Sequence, residues 1–293
     1  MTTLVPRTLP DALAALADDP SLTVLAGGTD LMVDLNYGRR RPAGVLSLRR
    51  LGELRGWRVE GDGDGTGGGT GGEVVLGAAT TYTDLLDPEL ARLVPALAAA
   101  ARTVGSPQIR NTGTIGGNLG TASPAGDTLP VLFALDAEVD VASAAGERRV
   151  PVGEFVTGPK RNALEPGELV TAVRVPVAAG PQEFLKVGVR NAMVIAIASC
   201  ALVVDLDHRT IGCALGAVGP LPIRDGGVEA WVATRVDWDG RRLSHQSVVE
   251  GFGRRMAAAS KPIDDHRAPA AYRRHAVAVL ARRALERAWS SRS

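Results

Sequence analysis

The stretch TIGGNLGTASPAGD, from Thr114 to Asp127, is rich in glycine and in small polar side chains. A second stretch of this kind, VLAGGTDL, runs from Val24 to Leu31. Glycine lacks a Cβ atom, so the backbone at such points can approach a ligand closely and adopt a positive φ. Consecutive backbone N–H groups in such turns form a concave nest that binds anions such as phosphate. The two stretches therefore predict a phosphate-binding site, provided that they meet in space.

Each stretch taken alone also has a purely structural explanation. A single glycine pair is more often a tight turn than a ligand site, and this alternative stays open for both stretches. An ionised Asp127 only accepts hydrogen bonds, so we expect it to bind ligand hydroxyls rather than a phosphate. On spacing alone, Asp127 could equally be a turn residue or the cap of the helix predicted for TLPVLFAL.

Composition excludes several classes of protein. The chain has 293 residues and a formal net charge of +1, so no long-range field attracts nucleic acid or an anionic membrane. No apolar run approaches the ~20 residues of a membrane span. The first residues show no charged segment followed by an apolar one, as a secretory signal would. We therefore expect a cytoplasmic protein with no nucleic-acid partner and no membrane insertion.

The two cysteines, Cys200 and Cys213, lie in apolar strand-like segments. Two cysteines alone cannot complete a four-ligand zinc or iron–sulfur site. In a cytosolic protein such residues are usually reduced. We expect buried reduced thiols and no metal.

Hydrophobic periodicity predicts an α+β fold. RTLPDALAALADDP predicts a helix capped by Thr8, LTVLAGG a short buried strand, and ELARLVPALAAAARTVG one continuous helix ended by Gly105. Because short strands and helices alternate irregularly, the pattern favours α+β over regular βαβ units.

A domain boundary is predicted within VPVAAGPQEF, which gives domains 1–178 and 179–293. In the second domain, two adjacent strands and three helical segments predict a small antiparallel sheet covered by helices. The last helix is expected to place five residues on one apolar face. These are Tyr272, Ala276, Val279, Leu280 and Ala284.

The segment GDGDGTGGGTGG, from Gly61 to Gly72, contains the pattern G-x-G-x-x-G twice. The dinucleotide fingerprint requires a strand before it and a helix after it. Here a strand-like segment, EVVLGAATTY, follows. The match is therefore interpreted as accidental, the segment as a flexible hairpin loop, and a Rossmann dehydrogenase is disfavoured.

Five segments resemble the FAD-binding medium subunits of molybdenum hydroxylases of the xanthine dehydrogenase and carbon monoxide dehydrogenase type. LAGGTDLMVDLNYGRRRP and TIGGNLGTASPAGDTLP are similar to the flavin-binding loops of this family. EFLKVGVRNAMVIAIAS, GAVGPLPIR and PIDDHRAPAAYRRHAVAVLARRAL are similar to its C-terminal domain, in the same order. The resemblance covers nearly the whole chain. It implies a PCMH/vanillyl-alcohol-oxidase-type FAD-binding domain of two α+β subdomains, followed by a small α+β C-terminal domain.

The resemblance also implies which residues contact FAD. The turn from Ala26 to Asp30 would line the pyrophosphate, Ile115 would pack near the flavin ring, and Lys186 would reach the cofactor from the second domain. Without the resemblance, Lys186 is interpreted as a strand-edge lysine and Met193 as a core residue. The resemblance places Met193 near the flavin edge. The implied cofactor-binding residues are Val24, Leu25, Ala26, Gly27, Gly28, Thr29, Asp30, Leu31, Val104, Thr114, Ile115, Gly116, Gly117, Asn118, Asp127, Val170 and Lys186.

A function follows from the resemblance. The partners would be a large molybdopterin subunit and a small subunit with two [2Fe–2S] clusters, in a dimer of heterotrimers. Electrons would pass from the clusters to FAD in this chain and then to NAD⁺, oxygen or a quinone, with no catalytic side chain. The substrate, bound elsewhere, would be a purine, another aromatic heterocycle, an aldehyde or carbon monoxide. The alternatives are a flavin-free interaction subunit and a stand-alone FAD oxidoreductase.

Overall fold

The structure, a computed structural model, describes residues 2–61 and 72–290. The hairpin loop predicted for Gly61–Gly72 lies outside the described residues except for its two ends. In chain order the strands are β1 Thr2–Leu4, β2 Thr23–Leu25, β3 Gly44–Ser47, β4 Trp57–Glu60, β5 Glu73–Gly77, β6 Glu138–Ser143, β7 Gly146–Pro151, β8 Val156–Gly158, β9 Arg161–Asn162, β10 Leu169–Pro176, β11 Gln182–Val187, β12 Ala198–Asp205, β13 Thr210–Gly216, β14 Ile223–Arg224, β15 Val236–Asp237 and β16 Arg242–Leu243. The α-helices are α1 Leu9–Asp18, α2 Leu31–Asn36, α3 Pro88–Leu93, α4 Pro95–Thr103, α5 Pro107–Arg110, α6 Ile115–Thr121, α7 Leu129–Ala134, α8 Val152–Phe155, α9 Gly226–Ala233, α10 Ser247–Ala259 and α11 Ala270–Ser290.

The first subdomain is a three-stranded parallel sheet in the order β1-β3-β2, next to α1. The Thr8 hydroxyl accepts a hydrogen bond from the Asp11 N–H at 3.3 Å, which confirms the predicted cap of α1. Leu16 of α1 and Leu46 of β3 are buried in one small core. The strand predicted for LTVLAGG forms as the edge strand β2, but it is only partly buried: Thr23 is buried, whereas Val24 is exposed.

The second subdomain is a five-stranded antiparallel sheet in the order β4-β5-β10-β6-β7. Inward residues of its strands, such as Leu76 and Val173, join Leu97 of α4 and Leu132 of α7 in the largest core. The sheet and its helices together place the ends of β5 and β10 beside the glycine-rich stretch that begins at Thr114.

The continuous helix predicted for ELARLVPALAAAARTVG is wrong. It is two helices, α3 and α4, separated by Val94 at φ −132° and ψ 68°. Pro95 has no N–H to bond to the preceding turn, and its ring disfavours a helical conformation of the residue before it. The helix therefore restarts at Pro95, and Gly105, at φ +42°, follows its end as predicted.

The C-terminal domain is a four-stranded antiparallel sheet in the order β11-β12-β13-β14. Helices α10 and α11 cover one face, with Leu202 and Phe252 in the shared core. Helices α4 and α7 of the second subdomain pack against the same sheet, and Phe184 and Ala201 join the core of that subdomain. The predicted α+β class and the predicted sheet covered by helices are thus confirmed.

The predicted buried face of α11 is confirmed at Ala276, Leu280 and Ala284 and is wrong at Tyr272. Tyr272 is exposed, whereas its neighbour Arg273 is buried together with Ala276, Val277 and Leu280. Arg273 is accommodated in the interior because its guanidinium donates to the carbonyl oxygens of Ile197 and Ala217 and to Asp265, and an apolar pattern does not reveal such contacts.

The two cysteines are buried and reduced, as expected, and their Sγ atoms lie 3.7 Å apart on adjacent strands. In the ranges 2–61 and 72–290, no helix has both the length and the apolar character needed to cross a membrane. Over the same ranges, no group of three or more His, Cys, Asp or Glu side chains is arranged to hold a metal ion.

Candidate functional site

The two glycine-rich stretches meet at one cleft. The cleft has a volume of about 680 Å³ and lies between the two subdomains and the loop that precedes β12. This volume falls within the range of about 300–1,000 Å³ that is usual for ligand and cofactor sites. Of the residues predicted from the sequence, those that line it are Val24, Leu25, Ala26, Gly27, Gly28, Thr29, Asp30, Leu31, Val104, Thr114, Gly116, Gly117, Asn118, Asp127 and Val170.

Two predicted residues do not line the cleft. Ile115 is completely buried in the core beneath it. Lys186 lies behind Asp127, with its side chain only 7% exposed, although it belongs to the edge strand β11.

The first glycine turn packs directly against the residues that precede Thr114. A Cβ atom placed on Gly27 would lie 1.7 Å from the carbonyl oxygen of Thr112 and 3.0 Å from the Cα of Gly113. Gly28 adopts φ +73°, a conformation that L side chains rarely adopt. The glycines are therefore required for the close approach of the two stretches and for the sharp turn after β2.

The first turn also presents unused hydrogen-bond donors. Within the described residues, the backbone N–H groups from Gly27 to Asp30 have no hydrogen-bond partner. The Asp30 side chain does not cap α2 either, although Asp30 precedes that helix. Four consecutive amides without a partner, in residues that line a cleft, are available as donors to a ligand such as a phosphate.

The second stretch is a helix start rather than an open loop. Thr114 caps α6, and its hydroxyl accepts the Gly117 N–H at 3.0 Å. The Ile115 and Gly116 amides donate to the carbonyl oxygens of Thr80 and Ala78, at 3.0 and 2.9 Å. The prediction that both stretches offer exposed N–H groups is therefore wrong for this one, because its amides fasten α6 to the end of β5.

The glycines of this stretch have a packing role. A Cβ on Gly116 would lie 2.7 Å from both the Cβ and the carbonyl oxygen of Ala78. A Cβ on Gly117 would lie 2.9 Å from the Thr114 hydroxyl. Small residues here let the first turn of α6 reach the cleft edge without breaking its cap.

Asp127 is the polar centre of the cleft. Its Oδ2 atom is 2.6 Å from Lys186 Nζ, which also donates to the carbonyl oxygen of Thr103 at 3.2 Å. Its Oδ1 atom is buried and has no hydrogen-bond partner among the described residues. A buried carboxylate oxygen costs free energy unless it accepts a hydrogen bond. Asp127 therefore offers an acceptor to a ligand, and Thr128 rather than Asp127 precedes α7 at the cap position.

Burial raises the pKa of Asp127, and the charge of Lys186 opposes this increase. Burial, together with the nearby Asp127, also raises the pKa of Tyr82, which lines the cleft. Tyr82 therefore stays neutral at physiological pH. Of these two lining groups, only Asp127 can carry a charge in the cleft, and Lys186 pairs with it from outside the cleft.

Sequence reasoning placed Met193 near the flavin edge but did not predict the wall that it forms with its neighbours. Met193, Val194 and Ile195 line it, and Met193 is 53% exposed with φ +50°. The interpretation of Met193 as a core residue is therefore wrong. Its apolar neighbourhood resembles a strand, and nothing in the local pattern shows that the chain turns outward there. Lys160 was also missed; it lies 4.0 Å from Asp30 across the cleft mouth.

Family models and relatives agree with this geometry. A family model described as the FAD binding domain in molybdopterin dehydrogenase matches residues 1–178, and the CO dehydrogenase flavoprotein C-terminal domain matches residues 183–288. This chain is an FAD-binding subunit of the molybdenum hydroxylase family. It is accordingly an oxidoreductase flavoprotein subunit whose cofactor is FAD.

Individual relatives span nearly the same length. The chain is 36% identical over 225 residues to the putative xanthine dehydrogenase FAD-binding subunit XdhB of Escherichia coli (strain K12), covering 74% of each chain. It is 34% identical over 284 residues to the glyceraldehyde dehydrogenase medium chain of Sulfolobus acidocaldarius, covering 96% of this chain and 95% of the relative. Among solved structures, a carbon monoxide dehydrogenase from Hydrogenophaga pseudoflava that lacks the Mo-pyranopterin moiety superposes with a TM-score of 0.84. That match is at 29% identity and covers 99% of this chain and 97% of the other.

The residues of the cleft suit FAD chemically. A diphosphate needs several donors within reach, and the four free amides of the first turn supply them without a buried cation. A polyhydroxylated chain needs an acceptor, and the unpaired Asp127 Oδ1 is one. An aromatic ring system needs an apolar wall, which Val104, Val170 and Ile195 provide.

Proposed function

We propose that this subunit relays electrons within a molybdenum hydroxylase complex. It would accept them from the [2Fe–2S] clusters of a small partner subunit and deliver them to NAD⁺ or another acceptor, such as oxygen or a quinone. When bound, FAD supplies both one-electron and two-electron redox chemistry. The observation that carries the proposal is the row of four free backbone amides from Gly27 to Asp30, at the edge of a cofactor-sized cleft.

In this proposal the first glycine turn binds the cofactor's diphosphate. The amides from Gly27 to Asp30 donate to its oxygens, and Val24, Leu25 and Leu31 flank them. Neutral backbone donors offset the phosphate charge without a lysine in the turn. Lys160, 4.0 Å from Asp30, lies at the mouth, where it neutralises that carboxylate rather than binding phosphate directly.

The second stretch and Asp127 position the remainder of the cofactor. Asp127 Oδ1 accepts a hydrogen bond from a ligand hydroxyl, while Lys186 holds Oδ2 in place. The Asn118 side chain accepts the Thr128 hydroxyl at 2.6 Å, which orients its amide nitrogen as a donor. Lys186 thus acts through Asp127 and stays out of the cleft itself.

The flavin ring is proposed to lie against the apolar side of the cleft. Val104 and Val170 would contact one part of the ring, and the segment from Met193 to Ile195 would lie at the edge of the ring. Ile115, buried below, supports this floor. An aliphatic Val104 provides packing without aromatic stacking. These side chains would exclude water from the ring, and the proposal assigns no side chain the role of a general acid or base.

The proposal includes the assembly. The partners are a large molybdopterin subunit and a small [2Fe–2S] subunit, arranged as a dimer of heterotrimers in the cytoplasm. The chain itself would divide into a flavin domain, residues 1–178, and a C-terminal domain, residues 179–293. This division is supported by the change of sheet between β10 and β11.

The experiment uses the complex purified with its partner subunits through a tag on this chain. Xanthine, glyceraldehyde, nicotinate and carbon monoxide are tested anaerobically as reductants, and the iron–sulfur and flavin absorption bands are followed separately. NAD⁺, a quinone and oxygen are then offered as acceptors. The same complex stripped of FAD by a chaotropic salt is the matched control. The proposal predicts that the stripped complex still reduces its clusters but no longer reduces the acceptor. Equal rates of acceptor reduction with and without FAD would overturn it.

A further inference from the structure

We propose that Arg273, which does not line the cleft, is a positioning residue that fixes two walls of the cofactor site at once. The inference rests on the proposed binding of FAD in this cleft. Arg273 belongs to α11, on the far side of the C-terminal sheet, and its side chain is 4% exposed. Its guanidinium makes three short contacts. These are with the carbonyl oxygens of Ile197 at 2.6 Å and Ala217 at 2.9 Å, and with Asp265 Oδ1 at 2.6 Å.

The contact with Ile197 holds the apolar wall. The Ile197 N–H donates to the carbonyl oxygen of Val187 at 2.8 Å, so these two residues close the base of the loop between them. Val194 and Ile195, near the end of that loop, line the cleft. Because Arg273 binds the Ile197 carbonyl group, it fixes the end of the loop that forms this wall.

The contact with Ala217 holds the opposite wall. Ala217 follows β13 and adopts φ +61°, a left-handed conformation that is uncommon outside glycine. Its N–H donates to the carbonyl oxygen of Pro124 at 2.9 Å, and Arg273 binds its carbonyl oxygen. Pro124 lies three residues before Asp127, within the segment that lines the cleft. Through the Ala217 peptide, Arg273 constrains the position of the segment that carries Asp127.

Only an arginine matches this set of acceptors. The planar guanidinium presents five donors in a fixed fork, whereas a lysine ammonium offers a compact point charge. Asp265 orients the fork and is itself held by the N–H groups of Arg267 and Ala268, at 2.8 and 3.1 Å. The Arg273 Nε has no partner among the described residues, which is a cost to stability. Two of its three acceptors belong to segments next to the cleft walls, and this is the ground for the positioning role.

The test compares Arg273→Lys and Arg273→Met with a matched control, Arg224→Met. Arg224 also belongs to the C-terminal domain and also binds a backbone carbonyl oxygen, that of Phe133 at 2.9 Å, and a carboxylate, Glu229 at 2.7 Å. It does not line the cleft. Each FAD-free chain is titrated with FAD, the visible circular dichroism of the bound flavin is recorded, and thermal unfolding is measured without FAD.

Both Arg273 variants are expected to bind FAD at least ~10-fold more weakly and to change the flavin circular dichroism, because loss of a charged hydrogen bond displaces both walls. Arg224→Met is expected to lower the unfolding temperature while leaving affinity and spectrum unchanged. If wild type binds FAD and both Arg273 variants match it in affinity and spectrum, the positioning role is overturned while the proposed function stands. Failure of wild type to bind FAD would overturn both.

A second measurement on the wild-type chain applies even if the variants fail to fold. Hydrogen–deuterium exchange is recorded with and without FAD. The proposal predicts that FAD slows exchange in residues 188–198 and 122–127, and also at the first turns of α11, which the cofactor does not touch. Protection of the two cleft segments with no change in α11 would overturn the proposal.

Discussion

Replacing Gly27 by alanine should separate binding of the diphosphate from binding of the flavin ring. An added Cβ would lie 1.7 Å from the Thr112 carbonyl oxygen, whereas real Cβ atoms stay at least 3.0 Å from such atoms. The first turn must therefore move away from the Thr112–Gly113 segment by about 1.3 Å, the difference between these two distances. The obstacle is backbone, so no side chain can rotate to relieve it.

A shift of this size is enough to break the proposed phosphate contacts. An N–H donor at ~2.9 Å from its acceptor would move beyond the ~3.2 Å at which such bonds form. Each hydrogen bond to a charged group is worth about 1.5–3 kcal/mol, so loss of two costs about 3–6 kcal/mol. That corresponds to a Kd for FAD at least ~100-fold higher. Overpacking alone should lower the stability of the FAD-free chain by about 1–3 kcal/mol.

The assay is the quenching of flavin fluorescence in titrations of the FAD-free chain with FAD and with riboflavin, which lacks the diphosphate. Gly52→Ala is the control, because a Cβ at Gly52 meets nothing within 4 Å. We expect Gly27→Ala to weaken FAD far more than riboflavin, and Gly52→Ala to change neither. An unchanged FAD affinity in Gly27→Ala, or equal losses for both ligands, would refute the assignment of this turn to the diphosphate.

Three further predictions concern the stability of the chain and the accessibility of its thiols. Lys186→Met leaves the carboxylate of Asp127 buried without its partner at 2.6 Å. Urea unfolding should therefore show that the free energy of unfolding falls by about 3–5 kcal/mol. A fall below about 1 kcal/mol would contradict this pairing. Burial opposes a fall in the pKa of Asp265, but backbone amides and Arg273 together lower it below the ordinary 3.8. Asp265→Asn should therefore lower the free energy of unfolding by a constant amount near neutral pH. The difference from wild type should shrink as the pH falls below 3.8 towards the pKa of Asp265 in the folded chain. A difference that grows on acidification would contradict this prediction. The two buried thiols should resist a thiol reagent in the native chain and both react after unfolding, and rapid labelling without unfolding would count against their burial.

The sequence predicts features that depend on neighbouring residues alone. The Thr8 cap, the strand β2 before the first glycine turn, the strand β5 after Gly72 and the α+β class all follow from local spacing. The break at Pro95 is also predictable from the sequence, because proline acts on its immediate neighbours. The prediction of a continuous helix relies too heavily on the alanine-rich pattern.

Features that depend on the tertiary fold were not predictable in this way. The amides of Ile115 and Gly116 bond to residues 35 and 38 positions earlier, and no local pattern shows that these donors are used. The burial of Arg273 arises from acceptors 8 to 76 residues away, so a hydrophobic pattern places Tyr272 inward instead.

The most direct test of the central claim is the cofactor content of the complex purified through a tag on this chain. Heat releases the bound flavin, chromatography identifies it, and its amount is compared with that of the chain. The account predicts FAD at one molecule per chain in the wild type and its loss in Gly27→Ala, with the partner subunits still present. A wild-type complex without flavin, or a Gly27→Ala complex with its full content of FAD, would contradict the account.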